Sequence, residues 1–79
     1  MKLPRDMDAA ELIKALARLG YKPVRQSGSH IRLQCDGPVH AITIPNHRLL
    51  RVGTLAAIIT DVAAQQKMDR DALIRLLRA

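Results

Sequence analysis

From residue 7 to residue 19 the apolar positions recur at the three-and-four spacing of a helix with one buried face, with Leu12, Ile13, Leu16 and Leu19 on one stripe and Ala9 ahead of them. Both ends are marked. Asp8 is placed to cap the free amides, Glu11 three residues later completes a capping-box pattern, and Met7 can pack on Leu12 as a hydrophobic staple. Gly20 stops the helix, because glycine takes the left-handed conformation past a helix end at little steric cost. From Tyr21 to Pro45 the period changes to two, which predicts three short strands over about residues 22–26, 30–35 and 39–44.

Ser27-Gly28-Ser29 forms the first turn and Asp36-Gly37-Pro38 lies in the second. Pro38 has no N–H to close a two-residue turn, so a four-residue loop from Cys35 to Pro38 is expected. That loop sets Gln34 opposite Val39, Arg32 opposite Ala41 and His30 opposite Thr43. Ile31, Leu33 and Cys35 then share the core face with Ile42 and Ile44, while His30, Arg32 and Gln34 point away from it. His40 falls on the apolar face, near its edge. A basic loop, NHRLLRVG, follows, and Thr54 is expected to cap a helix whose stripe is Leu55, Ile58, Ile59 and Val62. Met68 and Asp69 repeat the staple-and-cap pattern ahead of a last short helix with Leu73, Ile74, Leu76 and Leu77.

The order α-β-β-β-α-α predicts an α+β fold in which a three-stranded antiparallel sheet is packed on one face by helices from both ends of the chain. The other sheet face stays open. Seventy-nine residues are read as one domain over residues 1–79, in which about 60 to 65% of the unfolded surface is buried. With one tyrosine, no tryptophan and no phenylalanine, the core must come from Leu, Ile, Val and Ala. The single cysteine, Cys35, excludes an internal disulfide and reads as a small buried hydrophobe. No apolar run reaches signal-peptide or membrane-span length, so a cytoplasmic protein with no membrane association is expected.

Charge sharpens this picture by its placement. The net charge is +6, and between Arg18 and Arg51 six basic residues (Arg18, Lys22, Arg25, Arg32, Arg48, Arg51) meet one acid, Asp36. A field concentrated on the hairpin side suits a polyanionic partner such as nucleic acid. The plain alternative is a basic surface that serves solubility.

Three blocks stand out against this background: G-Y-x-x-x-R-Q-S-G-S-H from Gly20 to His30, T-I-P-x-H from Thr43 to His47, and G-T-L-x-x-I from Gly53 to Ile58. Their order and spacing resemble the HicA toxin family, and the flanking helices extend the match nearly end to end. The helix after G-T-L carries Asp61 where a more basic segment is common in that family. The resemblance implies a double-stranded-RNA-binding-domain-like fold, endoribonuclease (mRNA interferase) activity on mRNA, and neutralisation by a HicB-type antitoxin protein of a type II toxin–antitoxin pair. It also implies that the histidine of G-S-H, here His30, is catalytic.

The chemistry of the residues runs beside that resemblance. An imidazole moves protons near neutral pH, since its unperturbed pKa is about 6.5, and RNA cleavage needs a proton taken from a 2′-hydroxyl and one given to the leaving oxygen. His30 is the candidate general base or acid. Lys22, Arg25 and Arg32 are candidate phosphate ligands, with Arg32 preferred because it shares the strand face of His30. Gly28 permits positive φ or close approach of the backbone, and Ser29 can offer a hydroxyl or an amide. The plain reading of His30 is a surface histidine at a strand start; His40 reads as a packed edge residue and His47 as a loop residue. No metal or other cofactor is expected, because Asp36 is the lone carboxylate between Arg18 and Arg51 and the register separates His30 from His40.

Two other functions compete. A non-catalytic RNA-binding module of the same fold would use the same face for phosphate contacts and shape. An interaction protein would use it to meet an acidic partner.

Overall fold

The structure, a computed structural model, describes residues 3, 4 and 6–78. Its elements are α1 (Ala9–Ala17), β1 (Lys22–Ser27), β2 (His30–Asp36), β3 (Val39–Pro45), α2 (Val52–Gln66) and α3 (Arg70–Arg78). This is the expected α+β order, and the three strands form one antiparallel sheet in the order β1-β2-β3, consistent with the double-stranded-RNA-binding-domain-like fold.

The start of α1 is held as its sequence dictates. The Asp8 carboxylate accepts from the Glu11 amide at 2.8 Å, and the Glu11 carboxylate accepts from the Asp8 amide at 3.3 Å. Such a cap contributes about 1 kcal/mol. At the other end, Tyr21 N–H donates to the Leu16 carbonyl and Gly20 N–H to that of Ala17, a Schellman arrangement with Gly20 at φ +96°. The turn drops Tyr21 into the core, where it is fully buried.

Alternation along the sheet sorts the side chains. Leu33, Cys35, Ile42 and Ile44 are buried against Leu12, Leu16, Leu55, Ile59, Val62, Leu73 and Ile74 from the helices. His30, Arg32, Gln34 and Thr43 are exposed on the opposite side. All of β1, an edge strand of the sheet, is exposed.

Two local expectations are corrected. The second hairpin pairs Asp36 with Val39, Gln34 with Ala41, Arg32 with Thr43 and His30 with Pro45, two residues away from the predicted register. The turn residues are only Gly37 and Pro38, joined by a cis peptide bond. Closing this turn uses Asp36 and Val39, so the missing N–H of Pro38 is not needed. A slip of two leaves every side chain on its predicted face.

The second correction concerns α2, which starts at Val52 with Arg51 as its N-cap, so Thr54 lies inside the helix. Leu50 explains this start. It is buried, and its N–H donates to the Met7 carbonyl at 3.0 Å, which anchors the chain just before the first turn of the helix.

Candidate functional site

β1 would present Lys22 and Arg25 to opposite faces if its pleat were regular, because they are three residues apart. The register instead shifts between Pro23 and Arg25, with Val24 as the extra residue. Lys22 therefore pairs with Gln34, Arg25 with Arg32 and Ser27 with His30. The bulge returns Lys22 to the open face, where the turn has already placed Arg25. Combined with β3, the open face carries three cross-strand rows: Lys22, Gln34 and Ala41; Arg25, Arg32 and Thr43; Ser27, His30 and Pro45.

An open depression of about 260 Å³ lies on the second and third rows, lined by Arg25, Ser27, His30, Arg32 and Thr43. Of the residues expected at the site, His30, Arg25 and Arg32 come together here. Lys22 shares the face but stands a row beyond the lining, and Gly28 and Ser29 occupy the turn that leads into His30. Gly28 has φ +58° with open space where a Cβ would lie, so its role is conformational, at the first central position of the hairpin turn. The Ser29 carbonyl accepts from Asn46 N–H at 2.6 Å, which ties the exit of β3 to the start of β2 beside His30.

Ser27 and Thr43 line the depression without having been assigned a role from sequence. Thr43 was readable as an open-face residue from alternation alone. Ser27 reaches the lining because it stands opposite His30 across the tight turn.

The electrostatics of these rows run against local stability. Arg25 and Arg32 are directly opposite, and like charges in that relation are destabilising. Among the described residues, neither is ion-paired, and no side chain hydrogen-bonds the imidazole of His30. Unpaired cations beside a free imidazole are a fitting receptor for an anion with an exchangeable proton. No aromatic side chain is available on this face, because the sole aromatic, Tyr21, is buried.

The other histidines lie elsewhere. His47 is exposed in the loop, and its backbone carbonyl accepts from Ala9 N–H at 3.1 Å. His40 packs at the edge of the apolar face as expected, opposite Cys35. Its Nδ1 lies 2.7 Å from the Tyr21 hydroxyl and its Nε2 3.2 Å from Asp61 Oδ2. Gln66 Nε2 donates to the same hydroxyl at 3.4 Å, and the buried Cys35 thiol donates to the Leu19 carbonyl at 3.4 Å. Burial pushes the Tyr21 phenol above its ordinary value of 10.0, and the Asp61 carboxylate adds to the rise. Asp61, the acid in an otherwise uncharged stretch of α2, is thus engaged by His40. A smaller hollow, about 210 Å³, lies along α1, lined by Glu11, Lys14, Ala15 and Arg18.

No helix among the described residues is long and apolar enough to cross a membrane. No curated protein and no solved structure matches the chain. Among models of known families, the one described as the HicA toxin of bacterial toxin–antitoxin systems matches residues 9–63, from the first residue of α1 into the last turns of α2. That is well over half of the chain, and it spans the sheet and every residue lining the depression, so the chain belongs to the HicA toxin family.

Proposed function

We propose that this chain is the toxin of a type II toxin–antitoxin pair and acts in the cytoplasm as an endoribonuclease on mRNA, residues 1–79 working as one HicA-like domain. The observation that supports this most is an imidazole sharing one depression with two guanidinium groups, none of which has a side-chain partner among the described residues. Arg25 and Arg32 hold the scissile phosphate, and Lys22, one row out, holds a neighbouring one. As a base, His30 takes the proton of the 2′-hydroxyl while that oxygen attacks phosphorus. The bond to the 5′-oxygen breaks, and solvent supplies the proton it needs. As an acid, His30 gives that proton instead, and solvent takes the proton of the 2′-hydroxyl. The guanidinium groups stabilise the charge that builds on the phosphoryl oxygens. No step requires a metal, and the products are a 2′,3′-cyclic phosphate and a 5′-hydroxyl.

The test is cleavage of mRNA by the purified protein in EDTA. His30→Ala is expected to lower the rate by about 10²- to 10⁴-fold with the melting temperature unchanged. Full activity in that variant would remove His30 from the mechanism.

Among the described residues no side chain orients His30, which favours a second reading, a non-catalytic RNA-binding module, in which RNA stays intact through long incubation despite salt-sensitive binding. In either case a HicB-type antitoxin is the expected partner, covering His30 and bringing carboxylates to the arginines. Co-expression with the product of a neighbouring gene should then suppress toxicity.

A further inference from the structure

Sorting the lining of the depression by hydrogen-bonding capacity separates two kinds of ligand chemistry. Guanidinium groups only donate, which suits the non-bridging oxygens of a phosphodiester, since these only accept. A ribose 2′-hydroxyl both donates and accepts, so it needs a neighbour with a lone pair. Among the lining side chains only His30, Ser27 and Thr43 have one. The imidazole is committed to the reacting proton, which leaves the two hydroxyl groups.

Thr43 is the better placed of these. It stands directly opposite Arg32 in the same cross-strand row as Arg25, so a phosphate held by the two arginines brings its ribose towards β3. The next residue of β3 on the same face is Pro45, opposite His30, which offers no side-chain donor or acceptor. Thr43 is exposed, and among the described residues nothing hydrogen-bonds its hydroxyl. Its β-branch restricts χ1, so the hydroxyl is held with less entropy to lose than that of Ser27 beside the turn.

We propose that Thr43 is a specificity residue whose hydroxyl binds the 2′-hydroxyl of the ribose on the 5′-oxygen side of the phosphate held by Arg25 and Arg32, not the one that attacks, so that this face prefers RNA to DNA. The inference rests on the RNA-cleaving reading above and adds to it a determinant outside the proton transfer. RNA is told from DNA through this one group.

The experiment compares single-stranded RNA and DNA of one sequence, bound at fixed salt to the His30→Ala protein, which removes cleavage from the measurement. Thr43→Val and Thr43→Ser are then added to that background. One neutral hydrogen bond corresponds to roughly a three- to tenfold preference for RNA. The preference is expected to persist in Thr43→Ser and to vanish in Thr43→Val, with DNA affinity unchanged. Valine matches threonine in shape and strand preference, and unchanged melting temperatures verify the fold. Equal binding of RNA and DNA by the parent, or a preference that survives Thr43→Val, overturns the role of Thr43 and leaves the RNA reading standing. Failure to bind either nucleic acid overturns both.

Discussion

At the scale of single residues, the polar chain beneath the sheet has only one assignment of protons that satisfies every member. Asp61 can only accept, so His40 Nε2 carries the imidazole proton, Nδ1 accepts from the Tyr21 hydroxyl, and that oxygen accepts from Gln66. The rings of Tyr21 and His40 meet edge to face, 5.8 Å apart at 79°. Tyr21→Phe breaks the middle of this chain and is expected to cost about 1 kcal/mol at neutral pH. A second consequence concerns alkaline pH. The phenol is held above 10.0 in the folded protein, so its stability contribution is complete below the unfolded tyrosine value of about 10. Above it the unfolded chain releases the proton first, and stability falls as pH rises towards the folded value. Denaturant melts of wild type and Tyr21→Phe across that window should differ in slope, with the variant flatter. Parallel alkaline limbs would show that burial of the phenol has no such effect.

At the scale of elements, α2 gives up stability at its start. Arg51 has the extended backbone of an N-cap, φ −64° and ψ 141°, but its side chain makes no capping bond, and no acid sits in the first turn. Arg51→Asp would supply both a cap and a favourable charge, and should raise stability by about 1 kcal/mol. The same change should weaken binding of a polyanion. A lower melting temperature in Arg51→Asp would count against this account of the helix start. The true start was hard to read because Thr54 is a good cap by type and Gly53 looks like a loop residue. What decided the matter was the burial of Leu50 and its bond to Met7, a long-range contact no local pattern reveals. The capping box of α1 was legible because all its parts lie within four residues. Register at the second hairpin was not, since a slip of two preserves alternation and only the turn geometry tells the two pairings apart.

At the scale of the whole molecule, the fold separates an apolar layer of helices and sheet from a cationic outer face. The two-sidedness was legible, as was the outward placing of His30 and Arg32, because period-two alternation survives the register error, while Arg25 was named from its nearness to His30 along the chain. That Arg25 and Arg32 stand opposite one another was not, since it depends on the first turn closing over Gly28 and Ser29 alone, and the return of Lys22 to the same face depends on the bulge at Val24, which has no signature in the chain. Their opposition is a cost that an anion relieves, and one substitution can measure both sides of it. Arg32→Thr keeps a strand-forming residue and removes the repulsion, so at low salt the variant should melt no lower than wild type, and any gain should fade at high salt. Its RNA affinity should fall at all sequences alike. The slope of log affinity against log salt should shrink by about 0.7, the value for one single-strand phosphate contact. A lower melting temperature with an unaltered salt slope would mean that Arg32 serves the fold and not a ligand, and the outer face would lose its claim to be built for a polyanion.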